Sequence, residues 1–269
     1  MWSLLVAAAL AGEPGQGPAK GQLVVVGGGT TVNAIIDKTL ELAGGKSAKV
    51  VIIAEANPEN GPGSMSQWQR REPAKVSLIN PREPIEAVRL VREANLIWMP
   101  GGLQGMLMNS IAGTGIVEAV RARYRDGAVI GGTSAGAAVM SRKMIGGRSD
   151  LDSLRAGSTP FLMDGLGLWP EVIVDQHFLQ KGRFNRLALA VLEFPDLVGI
   201  GIDEETAAIV RGREFEVMGN GNVTIIDARK ARHEKLINGE PAAVRNLKVH
   251  VLRAGMKYQF DDEVLASGK

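Results

Sequence analysis

Cysteine is absent from the 269 residues, which excludes disulfides, thiolate metal sites and a thiol nucleophile together. Histidine is scarce. His177, His233 and His250 stand far apart in sequence, so a dedicated zinc site is not expected. A strong charge of one sign is also lacking: the formal charge is +2, and Lys and Arg are scattered without the basic stripe that marks a nucleic-acid binder. The apolar run over residues 1–11 is too short to span a membrane as a helix. No nucleic acid, membrane, metal or cofactor is therefore expected as a partner. The run closes on Ala9-Leu10-Ala11, as a signal-peptide cleavage site would, and a Gly- and Pro-rich stretch follows to Lys20. It has no basic n-region. Residues 1–20 read as a truncated or atypical export signal and linker ahead of a single α/β domain over residues 21–269. A secreted or periplasmic location is thereby favoured over a cytoplasmic one.

What is present is a large apolar fraction, 45%, enough for a sizeable core. Within it, Ala128-Val129-Ile130 suits a buried strand, and the alanine-rich Ala135–Met140 suits a helix entered at once. Between them Gly132-Thr133-Ser134-Ala135-Gly136 matches G-x-S-x-G, a sharp strand-to-helix turn with the serine at its apex. Backbone N–H groups at such a helix start can hold an oxyanion. A serine helix cap after a glycine turn has the same local pattern, but the strand–turn–helix setting favours a nucleophile.

The rest of the chain gives that turn a context. Leu23–Val26 is a strand followed by Gly27-Gly28-Gly29, and Val32 stands where a dinucleotide fingerprint needs its third glycine, so a tight strand–helix turn is the better reading. A helix follows over Ile35–Leu42, then strands at Val50–Ala54, Val76–Ile79 and Leu96–Met99. Asn57–Gly63 reads as a loop, Gln67–Arg71 as a short helix and Pro84–Ala94 as another. Helical patterns around Met106–Ile111 and Ile116–Tyr124 lead to the central strand. This alternation predicts an α/β fold with a mostly parallel sheet sandwiched by helices. Reacting groups then gather beyond the carboxyl ends of the strands. Gly101-Gly102-Leu103-Gln104 lies at one such end. Arg142–Pro170 reads as a long loop, and Val172-Ile173-Val174 as a strand delivering Asp175-Gln176-His177-Phe178. A helix is expected over Gln180–Glu193, with Lys181, Arg183 and Arg186 in its first turn. Val198–Ile202 ends in Asp203-Glu204-Glu205. Beyond it Ala207–Val210, Phe215–Met218 and Val223–Ile226 read as an antiparallel meander, with a last strand over Leu247–Leu252.

A serine nucleophile needs a base and the base an orienting acid. Of the histidines, His177 alone follows a strand of the parallel half; His233 sits in a charged stretch and His250 in an alternating strand. Position leaves His177 either structural or catalytic, and leaves Asp203, Glu204 and Glu205 competing for the acid. An α/β-hydrolase would place its histidine after the acid and would require His233 or His250.

Gly131–Ala137, Asp175–Phe178 with the basic helix and Asn185-Arg186-Leu187 after it, and Gly199–Glu204 together resemble the cyanophycinases. These are serine peptidases related to dipeptidase E with a glutamine amidotransferase-like fold, and the resemblance runs from about Gln22 to the end of the meander. It implies hydrolysis of cyanophycin, a poly-aspartate with arginine on each side chain, to β-Asp-Arg dipeptides. It also implies Ser134 as nucleophile, His177 as base and Glu204 as its support. Oxyanion donors would be the backbones of Gly102 and Ala135, and substrate contacts Gln104, Asp175, Gln176, Arg183 and Arg186. A homodimer is implied in the same way. Two positions depart from the family pattern: Leu103, where aspartate is common, and Lys181, where arginine is common. The chemistry of Lys181, Arg183 and Arg186 agrees with an Asp-rich peptide or polypeptide substrate, because cations at a helix N-terminus oppose its dipole unless an anion binds among them. Two other readings are an exo- or dipeptidase acting on other aspartyl or isoaspartyl peptides, and a non-catalytic binder of anionic peptides.

Overall fold

Short apolar runs, buried on both faces, lay down the inner strands of the sheets. The computed structural model describes residues 19–146, 153–155 and 162–261. The apolar N-terminal run lies outside the described residues. Strands β1 (Gln22–Val26), β2 (Lys49–Ile52), β3 (Lys75–Leu78), β4 (Leu96–Met99) and β5 (Val129–Thr133) alternate with helices α1 (Asn33–Leu42), α2 (Asn60–Gln69), α3 (Pro84–Glu93), α4 (Gln104–Ile111) and α5 (Ile116–Arg125). After the serine turn come α6 (Ala135–Ala138), β6 (Lys143–Ile145), β7 (Leu162–Asp164), β8 (Val172–Gln176), α7 (Phe184–Glu193) and β9 (Val198–Ile202). The C-terminal part is β: β10 (Thr206–Arg211), β11 (Glu214–Gly219), β12 (Asn222–Asp227), β13 (Arg232–His233), β14 (Val244–Arg245), β15 (Lys248–Arg253) and β16 (Lys257–Gln259).

The expected α/β architecture is found. An eight-stranded sheet runs β16-β11-β10-β1-β5-β4-β2-β3, with β1, β5, β4, β2 and β3 mutually parallel and β10, β11 and β16 added antiparallel. A second, four-stranded sheet runs β15-β12-β9-β8, in which β8 and β9 are parallel. Alternation along β1 shows why both faces of the large sheet must be covered. Leu23 and Val25 join a core with Val91 of α3, Leu107 of α4 and Val120 of α5, while Val24 and Val26 join another with Ile35 and Leu40 of α1 and Trp68 of α2. Trp68 meets Trp98 of β4 edge-on at 5.2 Å between ring centroids. The second sheet sends Val174, Ile200 and Ile225 into the first of these cores. Its other face packs Ile173 and Ile226 against Leu187 and Val191 of α7.

Several sequence expectations need correction. Helix α2 starts at Asn60, inside the expected loop; Pro62 is tolerated because first-turn N–H groups have no intrahelical partner to lose. The expected loop over 142–170 contains the antiparallel pair β6–β7, whose three-residue strands are too short to show a period. The meander is divided: β10 and β11 extend the large sheet, whereas β12 crosses to pair with β9. The turn at Gly219–Gly221 is drawn back by Glu205 and Thr206, through Asn220 N–H to the Glu205 carbonyl at 3.1 Å and Gly221 N–H to Thr206 Oγ1 at 2.7 Å. Alternation names a strand but not the sheet it joins. A short strand, β16, follows the one expected to be last.

Gly199 and Gly201 on β9 let α7 and the turn before it lie close. A Cβ on Gly201 would come within 2.4 Å of the Phe178 ring, one residue past His177. Gly201→Ala should therefore lower stability by about 1–3 kcal/mol through overpacking. Denaturant unfolding should show a lower midpoint with an unchanged slope; an unchanged midpoint would mean that the ring has room to move.

Candidate active site

The end of β1 is the meeting point of three segments. The Val26 carbonyl accepts the N–H of Ser134 at 3.0 Å, the Gly27 carbonyl that of His177 at 2.6 Å, and the Gly28 carbonyl that of Glu205 at 2.9 Å. Three successive backbone acceptors thus hold the carboxyl ends of β5, β8 and β9 together, although the last two belong to another sheet. The three donors carry positive φ, 54° at Ser134, 49° at His177 and 57° at Glu205. Such backbone in non-glycine residues costs on the order of 1–3 kcal/mol and persists only where its surroundings dictate it. Sequence reasoning passed over Gly27-Gly28-Gly29 as a tight turn. Their role is space: a Cβ on Gly28 would lie 2.3 Å from His177 Cε1, and one on Gly29 2.9 Å from Glu204 Cβ. The signal was there, three glycines at a strand's carboxyl end.

The side chains complete the arrangement. Ser134 Oγ lies 2.8 Å from His177 Nε2, and His177 Nδ1 lies 2.5 Å from Glu204 Oε1. A carboxylate can only accept, so the proton belongs on Nδ1 and the Nε2 lone pair faces the serine hydroxyl. Asp203 and Glu205, the competing acids, are otherwise engaged. Asp203 accepts from the backbones of Leu179 and Asn222, each at 3.0 Å, and Glu205 accepts from Asn220 Nδ2 at 2.9 Å. His233, on the exposed β13, bonds its neighbour's carbonyl, and His250, on β15, lies tilted against the Tyr258 ring at 5.5 Å. Neither meets Ser134, so the order an α/β-hydrolase would need does not arise.

Gly101 and Gly102 stand opposite. A Cβ on Gly101 would contact Ser134 Cβ at 3.4 Å, and Gly102, at φ 148°, packs its α-carbon against the Ala56 carbonyl. The N–H groups of Gly102 and Ala135 make no hydrogen bond among the described residues. They remain available beside the serine.

Asp175, Gln176, Arg183 and Arg186 form one buried network. Arg186 holds Asp175 with its Nε at 2.7 Å from Oδ2 and its Nη2 on Oδ1, and both side chains are 1% exposed. Asp175 also accepts the N–H of Gln176 at 2.9 Å. Arg183 Nη1 donates to the Gln176 carbonyl at 2.5 Å and to its Oε1 at 2.9 Å. That Oε1 is 3.4 Å from Ser134 Oγ. Asp175 of this chain is itself an anion between Arg183 and Arg186. The helix begins later than expected, at Phe184, which leaves only Arg186 in its first turn and Lys181 exposed on the turn before it. Gln104 is likewise buried, its Nε2 bound to the Ile145 carbonyl at 2.6 Å. Asp175, Arg186 and Gln104 are thus buried and hydrogen-bonded within the chain.

The model of peptidase family S51 matches residues 23–218. The chain belongs to peptidase family S51. It is accordingly a serine-type peptidase, a hydrolase, and the reading as a non-catalytic binder falls away. This S51 peptidase is 37% identical over 237 residues to the cyanophycinase of Geminocystis herdmanii (strain PCC 6308), covering 83% of this chain and 87% of that one. It is 36% identical over 236 residues to the cyanophycinase of Nostoc sp. (strain PCC 7120), covering 81% and 77%. Among solved structures, a peptidase from an acI-B1 actinobacterium shares the fold at a TM-score of 0.61 and 22% identity, covering 91% of this chain and 99% of that one.

Burial lowers the His177 pKa from its ordinary value, with the positive Lys181 and Arg183 acting in the same direction and the Glu204 hydrogen bond opposing them. In an NMR titration the His177 imidazole should protonate below about 6.5; a value above that would make the Glu204 interaction dominant over burial. Gly28→Ala should displace the imidazole and lower kcat by about 10²-fold with the protein still folded by circular dichroism. A loss under threefold would mean that the ring does not depend on that contact.

Proposed function

We propose that this chain hydrolyses cyanophycin to β-Asp-Arg dipeptides, with Ser134 as nucleophile, His177 as general base and acid, and Glu204 as the group that orients and stabilises the imidazole. The observation that carries this reading is the unbroken Ser134–His177–Glu204 hydrogen-bond chain in a peptidase whose relatives, over most of their length, are cyanophycinases. Ser134 Oγ attacks the carbonyl of an aspartyl residue as His177 Nε2 takes its proton. The N–H groups of Gly102 and Ala135 then receive the oxyanion; one such donor is typically worth ~10²–10³ in rate. Collapse of the tetrahedral intermediate expels the amine, to which His177 returns the proton. Water, activated by the same imidazole, releases the acyl group.

Substrate recognition divides between exposed and buried groups. Lys181, exposed, is disposed to meet the carboxylate-rich chain, and the buried Gln176 amide stands 3.4 Å from Ser134 Oγ. Asp175, Arg183 and Arg186 act as positioning residues that hold Gln176 and His177 in place. Lys181 offers a point charge without the bidentate fork of arginine. An Asp-rich polypeptide substrate and a homodimeric assembly belong to the same reading.

Incubation with insoluble cyanophycin, followed by mass spectrometry of the soluble fraction, is the test. The wild type should release β-Asp-Arg and Ser134→Ala should release none, while both bind the polymer. Cleavage of short isoaspartyl peptides but not of cyanophycin would move the reading to a dipeptidase. Because the His177 pKa is lowered, the neutral base persists at pH 6.5 and activity is lost only as pH falls through the folded value. An acid limb centred above pH 6.5 in kcat/KM would contradict the assignment of His177 as that base.

A further inference from the structure

One carboxylate at the active edge has no role in the chemistry above. Glu55 follows the carboxyl end of β2, where the Ile53 N–H still bonds the Trp98 carbonyl at 2.9 Å and the chain then turns. It is partly buried, and no hydrogen bond reaches its carboxylate from any described residue. Its neighbour Ala56 accepts the Leu103 N–H at 2.8 Å and supports the α-carbon of Gly102. Glu55 is therefore one residue from the backbone on which the Gly101–Gly102 turn, the turn that faces Ser134, rests. Only β4 separates β2 from β5, so two strand spacings put the ends of these strands about 10 Å apart. Two other carboxylates of this edge are matched: Glu204 by His177, Asp175 by Arg186 and Arg183. Glu55 has only the exposed Arg82 at longer range, and burial raises its pKa despite that charge.

A partly dehydrated carboxylate gains most from a cation that brings its own hydrogen bonds, and a guanidinium supplies two in parallel. The substrate read above is zwitterionic in each unit, with a free arginine carboxylate and a guanidinium at the far end of the side chain. The site has the complementary layout: Lys181 near His177 on one side of Ser134, Glu55 on the other. An extended β-linked Asp-Arg unit reaches roughly 10 Å, the span of three residues. We propose that Glu55 is a specificity-determining residue that pairs with the guanidinium of the substrate's arginine side chain. This rests on the substrate reading given above.

The test compares isoaspartyl-arginine oligopeptides with their citrulline isosteres, which keep the shape and lose the charge. Wild-type kcat/KM should favour arginine by about tenfold or more, as expected for a charged hydrogen bond. Glu55→Gln should reduce that preference to within about twofold, with its thermal midpoint checked for folding. Should that variant not fold, Glu55→Asp, which keeps the charge one methylene short, should lower the preference by about threefold. A preference retained in full by the folded variant overturns the inference and leaves the substrate reading intact. Wild type that cleaves neither peptide overturns the substrate reading and the inference with it. Wild type that cleaves both equally well overturns the inference alone.

Discussion

Three consecutive carbonyls at the end of β1, those of Val26, Gly27 and Gly28, hold the N–H groups of Ser134, His177 and Glu205. Backbone hydrogen bonds of this kind leave little tolerance, because both partners lie within a few residues of the ends of strands already committed to sheets. The consequence is that the serine, imidazole and carboxylate are brought into line by main chain rather than by their own mutual attraction. It also explains the glycines. An imidazole packed against the Gly28 α-carbon and a glutamate against Gly29 leave no volume for side chains on β1's end. The strain at Ser134 and His177 is maintained by the same three bonds.

Around that frame the charges divide by solvent access. Asp175 and Arg186, out of water, are paired with bidentate geometry, since an uncompensated buried charge costs several kcal/mol. Their pairing fixes the backbone at Gln176, one residue before the imidazole. Lys181 stays at the surface, where an ammonium keeps its hydration. Between these extremes His177 is dehydrated enough to disfavour protonation, yet hydrogen-bonded to an acid that supports it once charged. That balance suits a group that must gain and lose a proton near neutrality.

Much of the architecture was legible in the sequence because strands buried on both faces and helices buried on one leave different periods. The parallel order of β1 to β5, the serine turn and the delivery of His177 by β8 follow from such runs. The resemblance to cyanophycinases singled out Glu204 from three adjacent acids; in the structure Glu204 bonds His177, and Asp203 and Glu205 accept from backbone and amide donors. What escaped was of two kinds. The β6–β7 pair and β16 are three-residue strands without a readable period, and Pro62 and its flanking glycines concealed the start of α2. The sheet to which β12 belongs was a matter of long-range pairing, to which alternation along the strand is blind.

The sequence by itself determined the chemistry available: a serine at a glycine-flanked turn, a histidine at a strand end, and no thiol. These depend on residue identity and local period, which are properties of a short stretch. Only the tertiary structure decided which charges stay exposed and which face each other. Lys181, Arg183 and Arg186 look alike along the chain, but a carboxylate eleven residues away takes the last of them out of solvent. Desolvation and pairing arise where distant segments meet, so they are absent from any one of those segments.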